Sequence, residues 1–276
     1  MIRERAFAKL NLVLHVGRPR PDGLHPLASL FASLDLADEV TAEAREGGSD
    51  EVVCPAVPGR NLAAEALAAL REEVDGALPP VRVGIDKRIP VAAGLGGGSA
   101  DAAATLRAAN ALSRRPLPVE ELRRLAAPLG SDVPSQVEPA HAVVTGVGED
   151  VERVGLAPFW AVLVPQGEGL LAREVYSELD RLGGGREELD PGPLHALSDE
   201  PLEALAATVE NDLQPAALSL RPELERPLAE LREVGAMAAA IAGSGPTAFG
   251  LFADGETARS AAAAIDGALP TRGRAA

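Results

Sequence analysis

The chain has 276 residues, enough for one large hydrophobic core or two modest ones, with two favoured, and 46% hydrophobic against 24% charged residues is the balance of a folded protein. A formal charge of −15 argues against a nucleic-acid partner, which would call for a basic face, but not against a small anionic substrate held by a few local groups. One cysteine, Cys54, excludes an internal disulfide or a cysteine zinc cluster, and the four histidines lack metal-ligand spacing. The N-terminus has no apolar signal region and no run is long enough to cross a bilayer, so the expectation is a cytoplasmic protein without a membrane partner, a monomer or weak homodimer. Aromatics are only 3%, so Ala, Leu and Val must build the core.

Residues 6–16 alternate, with Ala8, Leu10, Leu12, Leu14 and Val16 on one face and Phe7, Lys9, Asn11, Val13 and His15 on the other. Lys9 and Asn11 together mark either a solvated edge or the wall of a site; Lys9 is one of only two lysines, with Lys87. A turn at residues 20–23 leads into a second strand ending near Leu34, and residues 38–44 and 51–54 read as short strands. Asn61 is placed to cap a helix running to about Val74. Residues 81–86 alternate as a strand, and residues 102–109 have strong helix propensity.

Between them lies Pro90-Val91-Ala92-Ala93-Gly94-Leu95-Gly96-Gly97-Gly98-Ser99-Ala100-Asp101. Four glycines between a strand and a helix let bare N–H groups approach an anion, and the helix N-terminus adds its positive dipole end. It is not a Walker A loop, since no Gly-Lys-Ser/Thr closes it, and Ser99 stands where a dinucleotide fingerprint has its third glycine. A flexible surface connector is the plainer reading.

Further on, residues 119–127 form a helix ended by Pro128 and Gly130, and residues 140–145 and 150–154 read as strands. After about residue 155 a strand over 159–164 precedes a helix over 172–182, then a flexible connection at 183–193. Helices over 201–209 and 222–234, a strand over 237–242, the turn Gly243-Ser244-Gly245-Pro246, a strand over 247–252 and a helix over 256–265 complete the chain. Strands cluster without strict alternation with helices, which makes the class α+β, with domains at 1–155 and 156–276.

Three segments, Ala8-Lys9-Leu10-Asn11-Leu12, Pro90 to Asp101 and Ala242-Gly243-Ser244-Gly245-Pro246-Thr247, resemble in order and spacing the motifs of the GHMP superfamily of small-molecule kinases, the galacto-, homoserine, mevalonate and phosphomevalonate kinases. Pro21-Asp22-Gly23-Leu24-His25, Asp86-Lys87-Arg88-Ile89-Pro90, Gly130-Ser131-Asp132-Val133-Pro134 and Asn211-Asp212-Leu213 narrow the resemblance to the branch whose acceptor carries a cytidine diphosphate, on a non-mevalonate route to isoprenoid precursors. The resemblance implies a two-domain fold with an active cleft between the domains. It implies transfer of the γ-phosphate of ATP, with Mg2+, to an alcohol.

Residue by residue, the resemblance makes Lys9 and Asp132 the catalytic pair, a cation keeping a carboxylate ionised as it takes or orients the hydroxyl proton. Gly94, Leu95, Gly96, Gly97, Gly98 and Ser99 would wrap the ATP phosphates, Asn61 and Lys87 would line the adenosine, and Ser99 or Asp101 would approach the metal. Asn11 and His25 would read the cytosine edge, Tyr176 would stack on the ring, and Gly243, Ser244 and Gly245 would pack near the diphosphate. Each has a plainer reading: Asp132 a turn cap before Pro134, Lys9 a solvent lysine, His25 a turn histidine facing water, Tyr176 core packing, Asp101 a first-turn acid on its own helix, Asn61 only an N-cap, and residues 243–245 a hairpin turn. Leu24 stands where the branch commonly has a second stacking tyrosine, Ala172 where it has a hydroxyl residue, and Ala92-Ala93 where it has glycines; these bear on substrate affinity more than on chemistry. A homoserine or mevalonate-type kinase, and a non-catalytic nucleotide-binding protein, remain alternatives.

Overall fold

The computed structural model describes every residue except Pro58, Arg60, Glu168 and Ala276. In chain order its elements are β1 (Ile2–Val16), β2 (Leu27–Ala44), β3 (Glu51–Val53), α1 (Leu62–Glu73), β4 (Val81–Asp86), α2 (Gly97–Asn110), α3 (Val119–Ala126), α4 (Val133–Val137), β5 (Ala142–Thr145), β6 (Asp150–Arg153), β7 (Trp160–Val164), α5 (Ala172–Arg181), α6 (Gly192–Ala196), α7 (Leu202–Ala207), β8 (Glu210–Asn211), α8 (Gln214–Leu220), α9 (Glu225–Glu233), β9 (Ala238–Ile241), β10 (Ala248–Phe252), α10 (Gly255–Ala264) and β11 (Leu269–Arg272). The mixture is α+β, as the sequence predicts. No helix among the described residues is long and apolar enough to cross a membrane.

The chain packs as two compact units: Met1–Ala8, Leu36–Val91 and Gly96–Pro139 form the first, and Lys9–Asp35, Ala92–Leu95 and Ala140–Ala276 the second. This division differs from a single cut at residue 155, because residues 9–35, 92–95 and 140–155 pack with the second unit. The strands β1 and β2 each contribute to both units, so packing does not follow chain order.

In the first unit, β4 pairs antiparallel with the second half of β2 (Glu39 opposite Asp86 through Ala44 opposite Val81) and parallel with β3. Its core is aliphatic, with Val40, Leu67, Leu70, Val83 and Leu106 packed among alanines of α1 and α2. Alanine at Ala100, Ala102, Ala103, Ala104, Ala108 and Ala109 makes most of α2 buried, and helices with such small side chains can lie close to their neighbours. Asn61 caps α1, its Oδ1 accepting the Ala63 N–H at 2.8 Å.

In the second unit, the first half of β2 pairs with β5, β5 with β6, and β8 lies parallel to β1. A separate antiparallel sheet runs β11-β7-β10-β9, and its β9–β10 hairpin carries the Gly243–Pro246 turn, with a cis Gly245–Pro246 peptide. Leu14, Phe31, Val162, Leu228 and Phe252 belong to this unit's own core.

Several elements differ from expectation. Two strands, one ending near Leu34 and one over 38–44, are a single strand, β2, because nothing between Leu27 and Ala44 is a glycine or proline to break it. The helix predicted from Ala102 begins at Gly97, so three loop residues form its first turn behind Gly96, held in the left-handed region at φ +70°. The connection at 183–193 is partly structured: Arg186 bridges to Gly17, and α6 starts at Gly192. The alternation of β1 breaks down from Ala8 to Leu14, where both faces are buried.

Candidate active site

Burial of both β1 faces decides the first question about Lys9 and Asn11: they do not lie on a solvated edge, being 4% and 3% exposed. The Lys9 ammonium donates to Asn11 Oδ1 at 2.7 Å and sits 4.6 Å from the Phe31 ring centroid, a cation–π distance. Asn11 Nδ2 donates to Ser29 Oγ at 2.9 Å, and Ser29 Oγ in turn donates to the Val13 carbonyl at 2.6 Å. This chain fixes the carboxamide orientation, with nitrogen toward β2 and oxygen toward the cation. Ser29 carries no signal in the sequence.

The glycine turn of the third motif lies against this pair. A Cβ built on Gly243 (φ +53°) would lie 3.2 Å from Asn11 Oδ1 and 3.8 Å from Lys9 Nζ. Asn211, whose role the sequence does not reveal, clamps the turn from behind: its Nδ2 donates to the carbonyls of Ile241 and Gly243 at 2.8 and 2.7 Å, and its Oδ1 accepts the Leu213 N–H. Gly94 and Leu95 belong to the same unit. Leu95 O accepts the Lys9 N–H at 3.0 Å, and Gly94 at φ +75° lies against the carbonyls of Ala242 and Gly245. Ala92, at φ +55°, occupies a conformation costing about 1–2 kcal/mol for a residue with a Cβ.

His25 does not face water. Its side chain is buried, with Nε2 2.9 Å from Asp180 Oδ1 and its ring centroid 4.9 Å from that of Tyr176. Tyr176 and Asp180 stand one turn apart on α5, the spacing that puts two side chains on one helix face. The structure therefore brings together His25 and Tyr176 and adds Asp180, which sequence reasoning missed although the four-residue spacing was visible. Leu24 is 52% exposed beside them in sequence, and Ala172 opens α5 exposed to solvent.

In the first unit, Gly97, Gly98 and Ser99 form the opening turn of α2, whose N-cap Gly96 has no side chain to satisfy their amides. Behind this turn Lys87 donates to Asp38 Oδ2 at 2.5 Å and Asp101 Oδ2 at 2.7 Å. Asp38 Oδ1 also accepts the N–H groups of Arg88 and Ile89, at 2.5 and 2.7 Å. Asp101 lies in the second turn of α2, not the first, so the reading as an acid compensating its own helix dipole does not hold. A cavity of about 400 Å³ lies beside Lys87, lined by Thr41, Val53, Pro55, Ala56 and Ile85 among others.

One ammonium cannot neutralise two buried carboxylates. Burial pushes the Asp101 carboxyl up to about 7 despite Lys87, and the Asp38 charge adds to the rise. For Lys87, burial opposes the charge, but the two carboxylates outweigh it and hold the ammonium above its ordinary pKa. A carboxyl whose folded pKa exceeds its unfolded value contributes stability that is full below the unfolded pKa and is lost as pH rises through the folded one. The native protein is therefore expected to lose stability between pH 4 and 7 relative to Asp101→Asn, with a slope of up to about 1.4 kcal/mol per pH unit. Urea denaturation of both proteins across that range checks this, and parallel stability curves would refute it.

Asp132 belongs to the first unit and Lys9 to the second. Asp132 occupies the N-cap position of α4, with Pro134 in the first turn, but its side chain makes no capping hydrogen bond; its carbonyl accepts Ser135 Oγ at 2.8 Å. The turn-cap reading therefore accounts for its backbone and not for its carboxylate.

Two family models match the chain: the GHMP kinases N-terminal domain over residues 61–139 and the GHMP kinases C-terminal model over 194–271. The chain belongs to the GHMP kinases. Among curated relatives, the 4-diphosphocytidyl-2-C-methyl-D-erythritol kinase of Cutibacterium acnes is 42% identical over 95% of this chain and 89% of its own length. The enzyme of that name from Streptomyces coelicolor is 43% identical over 92% and 88%. A crystal structure of 4-(cytidine 5'-diphospho)-2C-methyl-D-erythritol kinase superposes with a TM-score of 0.83 at 36% identity, covering 99% of this chain and all of that one.

Proposed function

We propose that this chain transfers the γ-phosphate of ATP to the 2-hydroxyl of 4-diphosphocytidyl-2-C-methyl-D-erythritol, releasing ADP and the 2-phosphate. The observation that carries the reading within the GHMP kinases is the His25–Tyr176 pair, with ring centroids 4.9 Å apart. An imidazole and a phenol ring side by side suit a flat base with a polar edge, and neither homoserine nor mevalonate has such a base. Asn11 joins His25 in reading that edge, and Gly243, Ser244 and Gly245 take the diphosphate.

On the nucleotide side, Gly94 to Ser99 cradle the phosphates with backbone amides, and the cavity beside Lys87 receives adenosine with Asn61. Asp132 orients and accepts the proton of the attacking hydroxyl, while Lys9 balances charge near the transferred group. Transfer is direct and in line, and the protein's contribution is positioning and charge stabilisation. Magnesium, bound with the nucleotide, supplies further neutralisation of phosphate charge. Such an ion would take most of its oxygen ligands from phosphates and water, so the half-exposed Ser99 hydroxyl would suit it, whereas Asp101, buried against Lys87, would not. Residues 1–155 supply most of the ATP side, and the enzyme acts in the cytoplasm as a monomer or weak homodimer.

The experiment is incubation with MgATP and a panel of acceptors, followed by ADP release and phosphorus NMR of the product. The expected result is turnover with the cytidine-diphosphate acceptor, competed by CMP, and none with homoserine or mevalonate. Turnover confined to either of those, or MgATP binding without transfer to any alcohol, would overturn the assignment.

A further inference from the structure

Asp38, Lys87 and Asp101 come from three different elements of the first unit: the second half of β2, the residue following β4, and the second turn of α2. All three side chains are almost wholly buried, and two of the ammonium's three N–H donors are committed to carboxylates. Asp38 uses its remaining oxygen on two successive backbone amides, Arg88 and Ile89, so one side chain fixes both Lys87 and the strand exit beyond it. The opening turn of α2 rests directly on this cluster. A Cβ built on Gly97 would lie 3.2 Å from Lys87 Nζ and 3.1 Å from Ile89 Cγ2, so glycine is what lets the turn seat so closely.

We infer that Asp38, Lys87 and Asp101 are positioning residues that lock the opening turn of α2 onto the exit of β4, holding the Gly97, Gly98 and Ser99 amides in the orientation that receives nucleotide phosphate. The inference rests on the ATP reading given above. Lys87 acts through the helix turn: it is one of the residues lining the cavity, and its ammonium is held in the cluster. Three buried ionisable groups are a poor way to gain stability, since well-packed neutral groups of similar volume commonly serve as well. They are a good way to fix geometry, because a buried ammonium accepts few arrangements of its partners. Asp101 Oδ1 is buried without a hydrogen-bond partner among the described residues, an expense that packing alone does not explain.

The test compares the native protein, Asp38→Asn, and the neutral triple variant Asp38→Asn/Lys87→Met/Asp101→Asn. Each is measured for MgATP dissociation constant by calorimetry, KM for the cytidine-diphosphate acceptor, and Tm. The triple variant leaves no buried charge uncompensated and is expected to melt close to the native protein. Both variants are expected to bind MgATP about tenfold more weakly, with the acceptor KM within about twofold of native. A triple variant that recovers native MgATP affinity along with native Tm would reduce the cluster to a structural role and overturn the inference. So would unchanged affinity in Asp38→Asn; if that variant does not fold, the triple variant decides. A native protein that binds MgATP but transfers nothing would sink the kinase assignment alone, since the nucleotide readout still tests the cluster. One that binds no MgATP overturns both.

Discussion

Replacing Asp132 with asparagine is expected to lower kcat by roughly 10²–10⁴-fold, the usual contribution of a positioned general base. The MgATP affinity is expected to remain within about twofold of native, because the loss falls on an interaction made in the transition state. Asparagine keeps the shape of aspartate and is an equally good N-cap residue, so it spares any structural duty at the start of α4. The capping duty itself is small: the Asp132 side chain makes no capping hydrogen bond, and Pro134 presets the first turn. The substitution therefore removes the carboxylate's charge and basicity while keeping the side chain's shape. In a loose phosphoryl-transfer transition state the base mainly orients the hydroxyl, so the effect belongs toward the lower end of the range if orientation through the remaining oxygen suffices. Steady-state kinetics with both substrates and calorimetric MgATP titration separate the cases. Parallel loss of nucleotide binding and turnover would make Asp132 a structural residue.

What the sequence makes legible here depends on distance along the chain. The alternation around Lys9 and Asn11 marks a polar pair on one face of β1, because neighbours in a strand are neighbours in the pattern. The Asn61 cap is likewise local, and the structure has it where expected. Asp38 is different: its partner Lys87 lies 49 positions away, so nothing near Asp38 distinguishes it from any other acid in a strand. The structural role of Asn211 is hidden for the same reason, since it reaches carbonyls 30 and 32 residues on. Asp101 is visible in the sequence but lies elsewhere on the helix than expected, because the helix starts at Gly97 rather than Ala102 and the earlier start puts the acid in the second turn, where it is buried. Two-residue β8 and the terminal strand β11 have too little periodicity to declare themselves, and their pairing with β1 and β7 defines them instead.

The glycine-rich segment shows the same limit most sharply, since its glycines look alike in sequence and are expected to respond oppositely to alanine. Gly94→Ala is expected to destabilise the protein by more than about 2 kcal/mol, in the class of backbone-strain substitutions. At φ +75° an alanine already costs about 1–2 kcal/mol. Its Cβ would also fall 2.3 Å from Ala242 O and 2.8 Å from Gly245 O. Those carbonyls cannot yield easily: Ala242 O accepts the Gly245 N–H, and Asn211 holds the neighbouring carbonyls of Ile241 and Gly243. Relief must come from moving residues 92–95 off the turn, which also disturbs Leu95 O on the Lys9 amide. Gly98 sits instead in the first turn of α2, with Leu62 Cδ1 at 3.8 Å as the nearest neighbour of a built Cβ and no positive φ. Gly98→Ala is thus expected to stabilise by about 0.5–1 kcal/mol, through helix propensity and a less mobile unfolded chain. At about 2–4 °C per kcal/mol for a chain of this size, the two variants should melt at least 5 °C apart on opposite sides of the native protein. If both shift the melting temperature in the same direction, the close seating of Gly94 on the 242–245 turn is not what holds that loop in place.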